Sequence, residues 1–166
     1  MKPICLALML GLLAVAGCGD DEPDAPAADE TKTATVDKAN TATDDSAGQG
    51  TSIELAKSEF GSILVDSKAQ AIYIFERDRP GRTVCYADCA EAWPPVLTEG
   101  EPRAGKGVEA ALLGTLERRD GDRQVTYAGK PLYFYAHERP GEVRCHNVSL
   151  NGGLWWVVGA DGERRP

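Results

Sequence analysis

Apolar and polar positions fall into three regimes along the chain. Residues 4–16 are almost wholly apolar, and Lys2 precedes them. A run of about thirteen apolar residues is short for a membrane-spanning helix and suits the core of a signal peptide. Residues 19–50 carry no hydrophobic period. From residue 51 onward, short runs rich in Tyr, Phe, Ile and Val alternate with turn residues, as strands on a pleated surface do. Residues 62–66 (SILVD) and 71–76 (AIYIFE) flank a polar turn at 67–70. Residues 124–127 (QVTY) and 131–136 (PLYFYA) flank Ala128-Gly129-Lys130. Residues 112–117 and 124–127 bracket Asp120-Gly121, a hairpin signal. Residues 154–158 (LWWVV) read as a last strand after Asn151-Gly152-Gly153. A short helix is predicted across 86–93, stopped by Pro94-Pro95.

The pattern repeats. Sliding the chain on itself by 60 positions aligns Gly61 with Gly121, Val65 with Val125, Tyr73 with Tyr133, Arg79-Pro80-Gly81 with Arg139-Pro140-Gly141, and Cys85 with Cys145. Ile72, Phe75 and Asp78 meet Leu132, Tyr135 and Glu138. Seven of 25 positions are identical where chance gives one or two, so residues 61–85 and 121–145 read as two copies of one supersecondary unit. The expected fold is mainly β: a small domain of two related strand–turn–strand repeats, with seven or eight short strands and one short helix.

Composition adds an address. The apolar core ends in Val15-Ala16-Gly17-Cys18, which resembles the bacterial lipobox, where the cysteine is acylated and becomes the new N-terminus. Residues 1–17 are thus expected to be a lipoprotein signal peptide and Cys18 the lipidation site, with enough acyl chains for stable anchoring. Gly19 after the cysteine points to the outer membrane if the cell is Gram-negative. Residues 19–50 hold nine acids against two lysines, a net of −7, and too little apolar surface to offset ordering entropy. They are expected to form a disordered, self-repelling tether between the anchor and a domain at 51–166. The chain's net charge is −8, and residues 51–166 account for only −2 of it. The acidity therefore belongs to the tether, and a nucleic-acid partner is excluded.

The residues resemble a family of bacterial secreted-repeat lipoproteins marked by a Y-x-[FWY]-x-x-D motif. Here the motif is Tyr73-x-Phe75-x-x-Asp78. Cys85-x-x-x-Cys89-Ala90-x-x-Trp93-Pro94-Pro95, Leu112-Leu113-Gly114-Thr115, Gln124-Val125-Thr126-Tyr127 and Pro131-Leu132-Tyr133 are also similar to that family. The second copy, Tyr133-x-Tyr135-x-x-Glu138, departs by carrying Glu for Asp, and Cys145 stands where the family more often shows glycine. The resemblance implies a cell-envelope compartment and a domain extent, rather than an activity.

Cysteines and histidines are the remaining candidates for chemistry. With Cys5 in the signal peptide and Cys18 lipidated, Cys85, Cys89 and Cys145 remain in an oxidising compartment. Three pairings are open. The resemblance favours Cys85–Cys89, leaving Cys145 as an odd thiol, and the repeat offers Cys85–Cys145. Both histidines, His137 and His146, lie in the second copy, and His146 adjoins Cys145. Thiolates and imidazole suit copper, so Cys145, His146 and His137 are candidate ligands for copper or haem handling, although neither a zinc spacing nor C-x-x-C-H is present. Asp78 and Glu138 precede Pro-Gly corners and read as turn caps. Trp155 and Trp156 face opposite ways along one strand, which places one of them at the surface or under a loop. No G-x-S-x-G, phosphate loop or dinucleotide fingerprint occurs. The expected function is a non-enzymatic binding or structural module with no cofactor, attached to the membrane by its lipid and engaging an envelope protein or ligand. The alternative is a redox or metal role for Cys85, Cys89, Cys145 and His146.

Overall fold

The computed structural model describes residues 50–166. The expected signal peptide, Cys18 and the tether up to residue 49 lie outside the described residues; Gly50, its expected last residue, is buried in the domain, its carbonyl accepting from Arg103 Nε at 3.3 Å. Within 50–166 there are nine strands, one α-helix and one 3₁₀ turn. Strands β1 (Ser52–Ser58) and β2 (Gly61–Asp66) form an antiparallel hairpin in register Ile53↔Asp66 to Ser58↔Gly61. β3 (Tyr73–Phe75) follows, then α1 (Asp88–Ala92) and β4 (Arg103–Ala104), which adds to β1 in parallel. A 3₁₀ turn (Ala110–Leu112) leads into β5 (Leu113–Glu117), β6 (Arg123–Tyr127) and β7 (Lys130–Pro131), an antiparallel meander. β8 (Val148–Leu150) and β9 (Gly153–Val157) close the chain, with β9 between β3 and β8.

The period of two sorts these strands onto two cores. Ile63, Val65, Tyr73, Phe75, Trp155 and Val157 enter one cluster. Their sequence neighbours Leu64, Ile72, Ile74, Trp156 and Val158 enter the other. The central strands are covered on both faces, which is why AIYIF and LWWVV read as continuous apolar runs. Of the two places expected for one tryptophan of the pair, at the surface or under a loop, the second is the one found. Trp155 is 0% and Trp156 only 9% exposed, because each has its own core and the Arg164 guanidinium lies 4.6 Å over the Trp156 ring.

The nine strands exceed the seven or eight expected: β4 and β8, like β1, have no counterpart in the sequence reading, and two further elements differ in extent. β1 was not expected, since Glu54 and Lys57 interrupt its apolar positions. The helix begins later than Tyr86, at Asp88, and Trp93 has already left helical geometry, at φ −126°. The expected strand at 131–136 shortens to β7, after which Tyr133 forms single bridges to Tyr73 on one side and Pro95 on the other.

The repeat is real, with its register corrected at the upstream end. The Tyr73 N–H donates to the Tyr133 carbonyl (2.8 Å) and the Tyr133 N–H to the Tyr73 carbonyl (3.0 Å). Gly81 N–H donates to the Gly129 carbonyl and Gly141 N–H to the Ala69 carbonyl, both at 2.8 Å. Each pair exchanges roles when copies are swapped, as a pseudo-twofold axis between Tyr73 and Tyr133 requires. Upstream, Val65 and Val125 are not structural mates despite their identity. Ile72 N–H bonds the Leu64 carbonyl, and Leu132 N–H bonds the Val125 carbonyl, so Leu64 is the mate of Val125. The slip arises at the turn: copy one places Ser67-Lys68-Ala69 between Asp66 and Gln70, whereas copy two joins Tyr127 to Lys130 with Ala128-Gly129 alone.

That turn carries a testable asymmetry. Gly129 sits at φ +75° and its mate Ala69 at φ +64°, a left-handed conformation that disfavours a Cβ. Ala69→Gly should stabilise the domain by about 0.5–1 kcal/mol, the relief of strain exceeding the extra freedom of the unfolded chain. A rise in urea midpoint with unchanged m-value would show it; a fall would mean the exposed Ala69 site is unstrained.

Candidate functional site

The aromatic–acid motifs of the two copies meet at the pseudo-twofold axis. Tyr73 donates its hydroxyl proton to Glu138 Oε1 at 2.7 Å, and Tyr133 donates to Asp78 Oδ2 at 2.6 Å. Each tyrosine thus reaches the acid of the other copy. Each acid also accepts a backbone N–H six residues on, Asp78 Oδ1 from Val84 at 2.8 Å and Glu138 Oε1 from Arg144. The turn-cap reading of both acids therefore holds for one bond each, and the second bond is a non-local clasp. Burial pushes both phenols well above the ordinary tyrosine range, and the neighbouring carboxylates add to the rise, so both stay protonated donors. Burial also raises Asp78, and it raises Glu138 to about 7.

The clasps differ in detail. In copy one, Thr83 Oγ1 lies 2.5 Å from the Tyr133 hydroxyl and accepts the Cys85 N–H at 3.0 Å. Because Tyr133 gives its proton to Asp78, Thr83 is the donor to Tyr133. The corresponding residue of copy two is Val143, which has no hydroxyl. Asp78 uses both oxygens, whereas Glu138 uses Oε1 twice and leaves Oε2 buried with no partner among the described residues. Thr83 escaped the sequence reading, since threonine two residues before a cysteine carries no signal.

Beneath the clasps runs a four-ring stack. Phe75 and Trp155 are parallel at 4.2 Å, Trp155 and Trp93 at 3.8 Å, and Tyr135 packs on Trp93 at 4.8 Å. Tyr73 meets Trp93 edge-on at 5.3 Å, and Tyr133 meets Trp155 edge-on at 5.2 Å. The stack obeys the same axis, with Phe75 exchanging for Tyr135 and Trp93 for Trp155. Such pairs contribute about 0.5–1.5 kcal/mol each beyond area burial.

Trp93 is set in place by the Cys85–Cys89 disulfide, whose Cα atoms are 5.2 Å apart, and by its own N–H bond to the Cys89 carbonyl (2.8 Å). The pairing implied by the family resemblance is thus present. Cys145 is fully buried in the cluster that holds Cys85 and is not a free thiol, so the expected odd, reactive sulfur beside His146 is absent. His146 is engaged at both ring nitrogens: Nδ1 accepts the Val157 N–H (3.4 Å), and Nε2 lies 3.2 Å from the Pro166 carbonyl, to which it donates. Burial lowers its pKa, consistent with a neutral ring wedged between Phe60 and Trp156. His137 is exposed, edge-on to Tyr135. Among the described residues, no three His, Cys, Asp or Glu side chains come together as a metal site.

Arg118 is a buried tie that sequence reasoning missed. It donates to Gln124 Oε1 (2.8 Å), to the Cys85 carbonyl (3.1 Å) and to Asp120, and its guanidinium lies 4.5 Å over Tyr86. Arg119 lies 3.8 Å over the same ring. The β5–β6 hairpin of copy two is thereby locked to the disulfide loop of copy one.

Fold and site together define a two-repeat β module closed about a pseudo-twofold axis by reciprocal tyrosine–carboxylate clasps. A family model described as a secreted repeat of unknown function matches residues 54–97 and 114–159, and the chain belongs to that family. The two matched segments are the two structural copies, and the family places the domain in the envelope or outside the cell. No curated protein and no solved structure matches the chain.

Proposed function

We propose that the chain is a lipid-anchored cell-envelope protein that displays its β domain on an acidic tether, as a non-enzymatic binding or structural module. The observation that carries this reading is where the motif side chains go. Tyr73, Tyr133, Asp78 and Glu138, the groups best suited to chemistry, turn inward and hold the two copies together. Phe75 and Tyr135 are buried in the stack rather than offered as a platform. Cys18, preceded by the lipobox-like Val15-Ala16-Gly17, supplies the anchor, and residues 19–50 supply the reach.

Expressed at full length in a bacterium, the chain should enter the detergent phase on cloud-point partitioning and carry the mass of its acyl groups. Cys18→Ser should stay aqueous. A wild-type chain that stays aqueous without lipid mass would sink the anchored reading, and catalytic turnover by the purified domain would sink the non-enzymatic one.

A further inference from the structure

The two clasps are built from the same parts and are unequally finished. Clasp one closes a complete circuit: Asp78 is bonded at both oxygens, and Thr83 bonds the Tyr133 hydroxyl. Clasp two lacks that hydroxyl, because Val143 replaces it, and loads both donors onto one oxygen of Glu138. Glu138 Oε2 is buried without a partner among the described residues, although the residue lines an open cleft of about 850 Å³ from which water can reach it once the loop moves. An ionised carboxylate with an unbonded oxygen in a dry site is costly, and opening toward the cleft relieves that cost.

We propose that the Tyr73–Glu138 clasp is a pH-responsive latch: it loosens as pH rises toward neutrality, releasing residues 139–144 from the first copy, while the Tyr133–Asp78 clasp stays shut. The groups around Glu138 set the sign. Tyr73 on β3 is a neutral donor, and Tyr135 stays neutral because burial raises its phenol. Of the charged loop residues, Glu142 pushes Glu138 toward protonation and Arg144 opposes it. Glu59, His137 and Arg139 line the same cleft and are exposed. Burial is the largest influence and carries the carboxyl from 4.5 to about 7. The closed clasp therefore holds a proton that the opened one has lost. The closed form is favoured fully below pH 4.5, loses ground as pH rises, and reaches its weakest above about 7.

Amide hydrogen exchange on the folded protein tests this at two matched reporters, the N–H groups of Arg144 and Val84. After correction for intrinsic rates, protection of Arg144 relative to Val84 should fall at least about tenfold between pH 5 and pH 8. In Glu138→Gln, which cannot ionise, the ratio should no longer fall, because the one titrating group left in the pair of clasps is Asp78, which holds the reference Val84 N–H. In the double variant Glu138→Asp with Val143→Thr, which copies clasp one, the fall should move toward acid. His137→Gln should leave the wild-type profile unchanged. A wild-type ratio flat with pH, or a fall that persists in Glu138→Gln or vanishes in His137→Gln, would overturn the proposal. If Glu138→Gln fails to fold, the wild-type ratio and the His137→Gln profile still decide.

Discussion

Trp155→Ala should destabilise the domain by about 3–5 kcal/mol, a large share of the stability of a chain this size. Trp155 is fully buried, stacked between Trp93 and Phe75, met edge-on by Tyr133, and bonded through Nε1 to the Leu150 carbonyl at 3.1 Å. Truncation empties the middle of the stack. The surroundings cannot collapse into the gap, because Trp93 is held beside the disulfide and Phe75 is paired in β3. Trp155→Phe keeps a ring and should lose markedly less. Urea unfolding gives the magnitude, and near-UV circular dichroism shows whether aromatic packing survives. A loss below about 1 kcal/mol for the alanine variant would show that the stack is not the centre of the fold.

Asp78→Ala should cost about 1–3 kcal/mol, since it removes the acceptor of the buried Tyr133 hydroxyl, which then has only Thr83 Oγ1 to turn to, and that of the more exposed Val84 N–H. Tyr133→Phe removes one of those donors at source. It also leaves Thr83 without its acceptor, so its cost is not zero. The double variant should therefore be more stable than the sum of the two single losses predicts, with a coupling of about 1–3 kcal/mol. Strict additivity would mean that the bond between the two copies contributes nothing.

Sequence reasoning held from the tyrosines to the cysteines of each repeat and lost the strand before them and the tryptophan pairing beyond. Tyr73/Tyr133 and Cys85/Cys145 lie where both copies keep the same spacing, and there the 60-residue match is structural. Val65/Val125 matched by coincidence, because a turn one residue longer in copy one shifts the strand before it. A one-residue slip moves a side chain to the opposite face, and Val65 and Val125 do lie in different cores. Trp93 and Trp155 are mates across the axis but stand 62 positions apart, so the same offset could not reveal them. The second bond of Asp78 was illegible for another reason. Spacing around Pro80-Gly81 encodes a local cap, and nothing local encodes a donor 55 residues downstream. The two-sided burial of Trp155 and Trp156 likewise needs knowledge of what covers each face.

The reciprocal clasp makes the repeat a half that is chemically incomplete. An isolated copy would carry an acid lacking its tyrosine and a tyrosine lacking its acid, and the missing complement would have to come from another molecule. Chains built from this unit should accordingly obey a parity rule. Even numbers of repeats can close on themselves, while an odd one leaves a hydroxyl and a carboxylate turned outward, ready to recruit a second chain.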